Sequence, residues 1–300
     1  MKIMTVQRRD ELFTPERVAG MINKVSGYSS LAVLTQQEPV PFNGNEIFHF
    51  TMDNDIDVVA EGGAKSEGGV TIGKTQMVPI KVEYSARFSD EMWYSGEDAQ
   101  LDIMRNFTEG YAKKLARGLD LMAFHGINPR TRTASVVIGS NNFDDKITQT
   151  VDYVAEEVDN VIEDAIFLVT GSDNINTGIA MSPTAGRDLS KVEVNGVRQF
   201  PEFRMGNRPD TFAGVRNSVN NTVSEVGGTE VYVGDFANAF KWGYSKNIGL
   251  QLHTAGDPDN TGRDLAGHNE ILLRSETYLG WGILDESAFA RVIEPSGVEG

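Results

Sequence analysis

The sequence predicts an α+β fold, and three observations predict it. One segment carries apolar residues at helical spacing for about six turns. Period-two alternation, the pattern of half-buried strands, stands both before that segment (46–52 and 75–88) and after it (269–293). The stretch from 147 to 253 mixes shorter helix-like and strand-like pieces, with no internal repeat and no low-complexity tail anywhere.

Taken in order, the chain opens with a short amphipathic helix through Lys24, with Thr14 as N-cap and Pro15 in its first turn. From Pro39 to Phe88 it reads as an extended β-hairpin. EIFHFTM (Glu46–Met52) and TQMVPIKVEYSARF (Thr75–Phe88) are its strands, and the Gly-rich tract around Lys65 is its polar, flexible tip. Ser95-Gly96-Glu97-Asp98 starts the long helix. Its apolar stripe is Leu101, Met104, Phe107, Tyr111, Leu115, Leu119 and Met122, and it stops at His125-Gly126 with Pro129 beyond. The opposite side carries Asp102, Arg105, Glu109, Lys113, Lys114 and Arg117, a solvated or partner-facing surface. A second amphipathic helix is expected over Ile147–Glu163 and a short buried strand over Ala165–Thr170. Gly178–Val192 reads as a strand and a short helix, and Gly228–His253 as strand, short helix, strand. Asn269–Ile293 suits terminal strands.

Composition narrows the function. The 300 residues hold 27 basic and 43 acidic side chains, net −16, the wrong sign for gripping nucleic acid by counterion release. The absence of cysteine excludes disulfides, thiolate zinc sites and a cysteine nucleophile, and suits a protein assembled in the cytosol. No apolar run reaches membrane-spanning length, and the N-terminal residues have scattered charge without an apolar signal core.

Single motifs add little. Gly68–Thr75, GGVTIGKT, satisfies the phosphate-loop pattern, and taken alone it would make the chain a nucleotide hydrolase. Its flanks argue against that. The preceding AEGGAKSEGG cannot be a buried strand, and a helix begun at Lys74 would run into Pro79 at about 3 kcal/mol. The four histidines lack metal-ligand spacing, and no nucleophile-elbow or dinucleotide fingerprint occurs. Asp257-Pro258-Asp259-Asn260-Thr261-Gly262 imitates the front of a calcium loop, but the twelfth position is His268 rather than glutamate, so it reads as a turn. No catalytic residue, metal or cofactor is expected.

The order of parts carries more. Four stretches, in sequence, resemble the major capsid protein of tailed bacteriophages with the HK97-like fold. Ser66–Met92 looks like the hairpin's return strand leading into the spine helix, and Tyr111–Gly126 (YAKKLARGLDLMAFHG) like that helix's end. Val231–His253, with its Gly-Asp-Phe, resembles the segment leading back to the periphery, and Ser275–Val292 the closing strands. The resemblance implies residues 1–38 as an N-terminal arm, 39–88 as the extended hairpin loop and 89–145 as a peripheral domain with the spine helix. It further implies 146–250 as an axial α/β domain and 251–300 as the return to the peripheral β segment. It implies a non-enzymatic shell protein of the virion, assembled in the host bacterial cytoplasm. Pentamers and hexamers of it would enclose double-stranded DNA without binding it specifically, alongside a separate scaffolding chain, a portal protein and a decoration protein. An encapsulin-type compartment, which encloses a cargo enzyme, has the same fold and is the alternative. The implied subunit-interface residues are Gly62, Gly63, Lys65, Glu67, Gly68, Gly69 and Lys74 in the loop, with Arg105, Glu109 and Lys113 on the helix. Arg198–Asn221 has no counterpart in the resemblance.

Overall fold

A computed structural model describes residues 28–52, 54–226 and 228–295. The helix expected over Thr14–Lys24 lies outside the described residues. The order begins with a short helix α1 (Ser30–Leu34) and two antiparallel strands, β1 (Asn45–Met52) and β2 (Val70–Met77). Strand β3 (Ile80–Ser89) passes through a single turn, α2 (Asp90–Tyr94), into the spine helix α3 (Glu97–His125). Then come α4 (Phe143–Lys146), β4 (Thr150–Asp152), α5 (Val158–Gly171), β5 (Gly178–Met181) and α6 (Pro183–Leu189). The chain ends with the small strands β6 (Glu193–Val194), β7 (Val197–Arg198) and β8 (Thr211–Phe212), then β9 (Val215–Val219), β10 (Thr229–Gly234), β11 (Phe240–His253), β12 (Glu270–Ile283) and β13 (Phe289–Ile293).

Helix α3 has 29 residues, about 43 Å at 1.5 Å per residue. It ends because Gly126 takes a left-handed conformation (φ 64°) and returns its N–H to the Met122 carbonyl at 3.0 Å, a glycine C-cap. The stripe Met104, Phe107, Tyr111, Leu115, Leu119 and Met122 is buried. It faces a three-stranded antiparallel sheet ordered β11-β12-β3, and Tyr111 donates to Thr277 Oγ1 at 2.7 Å across that contact. Beyond the helix end, Phe124, Phe143, Tyr232 and Phe289 pack edge-to-face or stacked and join this layer to the rest. The second layer is a six-stranded sheet ordered β4-β13-β10-β5-β9-β8, with β13–β4 and β5–β9 parallel. Helices α5 and α6 share its core with Ile179, Val231 and Val292.

Four sequence expectations are corrected. Ala165–Thr170 is not a strand but the second half of α5, because Val158, Val161, Ile162, Ala165 and Val169 form one buried helical stripe. The helical period over the whole segment outweighs the local strand preference of Ile, Val and Thr. The helix expected from Ile147 starts only at Val158, and Thr150–Asp152 pairs instead as edge strand β4 against Arg291–Ile293. The 75–88 strand is two strands broken at Val78-Pro79, since proline has no N–H for the ladder. Strand β2 starts earlier, at Val70, where it pairs with Met52 of β1, and β3 pairs with β12. The short helix within 228–253 is a turn between β10 and β11.

Candidate assembly interface

Among the described residues, the hairpin stands as a sheet of its own with two strands. Strands β1 and β2 pair over eight positions, from Asn45↔Met77 to Met52↔Val70, as a separate two-stranded sheet. Directly paired residues share a face, and residues two apart along a strand do too. Phe48, Met52, Val70 and Ile72 therefore lie on one side, and they are 56%, 79%, 54% and 62% exposed. The tip continues the pattern, with Ile56 and Val58 almost wholly exposed. A two-stranded ribbon is marginal in water unless one face is covered.

The base of the ribbon is held firmly. Met77 is buried and packs over Gly282 of β12, where an added Cβ would lie 2.9 Å from the Met77 side chain. The segment after α1 crosses β11 with Glu38 N–H donating to the Trp242 carbonyl at 2.9 Å and Val40 N–H to Tyr244 O at 3.2 Å. Gly243 makes that crossing possible, because a Cβ there would overlap the Glu38 carbonyl. Lys241 also pairs with Glu38.

The residues singled out in the sequence are distributed as follows. Gly62 (φ 80°), Gly63, Lys65, Glu67, Gly68 and Gly69 lie in the exposed connection between the two strands. Lys74 is within β2, opposite Phe48, and pairs with Glu46 at 3.4 Å, so the phosphate-loop pattern is mostly strand with no helix after it. Arg105 and Glu109 are exposed on the spine helix, and Lys113 Nζ stands 5.5 Å from the centre of the Tyr28 ring. Arg117 pairs with Glu225, which also takes Arg132 at 2.8 Å. Loop and helix residues are not brought into one cluster. The apolar ribbon face was missed, although the alternation in Phe48-His49-Phe50-Thr51-Met52 and Val70-Thr71-Ile72 contains it.

Two charged knots hold the surroundings in place. In the first, Arg87 of β3 donates to Asp259 Oδ2 (2.9 Å), Asp257 Oδ1 (3.0 Å), Glu270 Oε2 (2.9 Å) and the Arg263 carbonyl (3.0 Å). The oxygens that imitate a calcium loop thus close on a guanidinium. Hydrogen bonding to Asp259 and Glu270 raises Arg87 further, and Arg87 holds Asp259 well below the usual carboxylate range. In the second, Asp120 of the spine helix is fully buried and accepts from Ser29 Oγ (2.6 Å), Ser30 N (2.7 Å), Leu31 N (3.2 Å) and Thr222 Oγ1 (2.6 Å). Burial pushes this carboxyl up while those four donors pull the other way. Asp120 thereby caps α1 from a distance and fixes the start of the crossing that seats the ribbon.

His125 stands at the spine helix C-terminus, Nδ1 2.7 Å from Asp144 Oδ2 and Nε2 2.8 Å from the Thr222 carbonyl. Asp144 also accepts from Tyr232 (2.7 Å) and Arg291 (2.8 Å). Burial raises this carboxyl, but His125, Tyr232 and Arg291 together bring it below its ordinary value. These contacts tie one layer to the other.

No protein-family model matches the chain, and no curated protein matches it. Solved structures do. One from Mycobacterium phage Ogopogo is 31% identical over 90% of this chain and 93% of that chain, with a TM-score of 0.75. One from Gordonia phage Cozz is 24% identical, covering 91% and 88%, also at 0.75. A capsid of an empty GTA particle shares the fold at 12% identity and a TM-score of 0.63, covering 91% of each chain. With the ribbon, the spine helix and the two sheet layers in this order, the chain belongs to the major capsid proteins of tailed phages, with the HK97-like fold.

Proposed function

We propose that this capsid subunit builds its shell by laying the β1–β2 ribbon on a neighbouring copy. The observation that carries this is the apolar face of Phe48, Met52, Val70 and Ile72, exposed on a ribbon that, among the described residues, is held at its base. Burying it against a second copy removes that surface from water and gives the ribbon the support it lacks. Lys65, Glu67 and Lys74, with Arg105, Glu109 and Lys113 of the spine helix, supply ion pairs across the contact. The glycines at 62, 63, 68 and 69 let the tip follow the neighbour's surface.

The protein acts as a structural element without catalysis. It assembles in the bacterial cytoplasm as pentamers and hexamers, with a separate scaffolding chain, a portal protein and a decoration protein. Its net charge of −16 keeps the enclosed double-stranded DNA from adhering to the wall. The test is expression of the chain alone and with a scaffolding chain, followed by sedimentation and negative-stain electron microscopy. Rings of five or six, or closed particles, are expected. A monomer at high concentration under both conditions would overturn the reading.

A further inference from the structure

The six-stranded layer is electrically lopsided. Residues 147–186 hold seven carboxylates and no lysine or arginine, whereas residues 187–216 hold six basic and four acidic side chains. None of those seven carboxylates is in an ion pair among the described residues, and neither are Arg204 and Arg208. The two groups lie towards opposite edges of the sheet. Helix α5 packs on the half formed by β4, β13 and β10, while the segment after α6 runs beside β9 and β8.

Each edge also carries an apolar feature that its own chain leaves uncovered. On α5, Phe167 is 73% exposed, one turn beyond Glu163 and Asp164, both exposed. At the other edge a depression of about 320 Å³ is lined by Pro183, Gly186, Arg187, Phe203, Met205 and Arg208. Met205 is 94% exposed with φ 59°, a left-handed conformation that a non-glycine residue adopts at some cost. An exposed aromatic flanked by two carboxylates and an apolar depression flanked by arginines are complementary in polarity and in charge. They sit on different surfaces of one chain, so a contact between them is head to tail, the kind that builds a ring when its rotation closes.

We propose that Phe167 of one copy enters the depression beside Phe203 and Met205 of the next, with Glu163 and Asp164 meeting Arg204 and Arg208. This rests on the capsid reading above and names the contact that joins the six-stranded layers of adjacent subunits. It also accounts for the unpaired acids of α5. Asp159 and Glu163 are like charges at i,i+4, unfavourable within the helix and relieved by the neighbour's arginines.

Because the chain has no cysteine, Phe167→Cys with Met205→Cys gives a direct test. Assembled particles are treated with diamide, which takes two electrons and two protons from each pair of thiols as the disulfide forms. The double variant should run as a ladder of covalent oligomers, and either single variant should not. In parallel, Glu163→Lys with Asp164→Lys, or Arg204→Glu with Arg208→Glu, should raise the protein concentration needed for assembly about tenfold or more. Combining all four substitutions should recover most of that loss. Particles without a ladder, or a quadruple variant no better than its parents, would overturn this contact and leave the capsid reading standing. Wild-type protein that forms no particles even with a scaffolding chain would overturn both.

Discussion

Replacing Phe48 and Ile72 together by threonine tests the ribbon at its centre. Threonine keeps strand preference and leaves the backbone pairing intact, so the change trades apolar surface for a small polar side chain. Phe48 is 56% and Ile72 62% exposed in the single chain, and full burial of such a side chain is worth about 1.5–3 kcal/mol. The part still exposed therefore offers about 1–2 kcal/mol each, or roughly 2–4 kcal/mol per ribbon contact. That corresponds to a roughly 30- to 900-fold weaker association at each contact. Stability of the unassembled chain should move by only about 0.5 kcal/mol, the usual effect of a surface substitution. The assay is sedimentation velocity and electron microscopy over a concentration series, beside thermal melts of the unassembled protein. Assembly at unchanged concentration, with the melt also unchanged, would refute the claim that this face is buried on a neighbour.

Asp120→Ala should unfold the chain about 5–8 °C lower, because two buried backbone N–H groups and two hydroxyls lose their acceptor at about 3–5 kcal/mol in total; thermal melts check it. Gly243→Val should displace the Glu38–Val40 crossing, and faster hydrogen exchange at Glu38 and Val40 would report it. Arg87→Ala removes the cation that holds Asp257 and Asp259, leaving Glu270 to Arg263, so limited proteolysis should cut within 254–269 in the variant and not in the parent. A carboxyl held below its ordinary value contributes stability above about pH 4 and loses it as pH falls through the folded value. Asp144 is such a group, so Asp144→Asn should flatten the fall in melting temperature below about pH 4 relative to the parent.

Much of the fold was legible because its strongest signals are local. The spine helix announced itself through seven apolar residues at spacings of three and four and through Gly126, which caps its end in a left-handed conformation. The ribbon was legible as strand–tip–strand, but its boundaries were not. Val70–Lys74 looked like loop because glycines flank it, and only the pairing with β1 makes it strand. Where β-branched residues sat in a helix, as in Ala165–Thr170, the burial stripe over the full helix decided the outcome. The region 198–221, unplaced in the sequence, supplies two small strands and a short 3₁₀ helix at the sheet edge, elements too short to leave a periodic signal. Long-range partners were least legible. Nothing near Arg87 in the chain says that its carboxylates lie some 170 residues on, and Asp120 stood out only as one acid in an apolar run.

Coverage of the ribbon by a neighbouring copy would be visible in assembled particles. An electron cryomicroscopy map of assembled particles tests it most directly. Continuous density for β1 and β2 is expected across an adjacent subunit, with Phe48, Met52, Val70 and Ile72 against it. A ribbon projecting free of every neighbour, in a particle that is nonetheless closed, would contradict it.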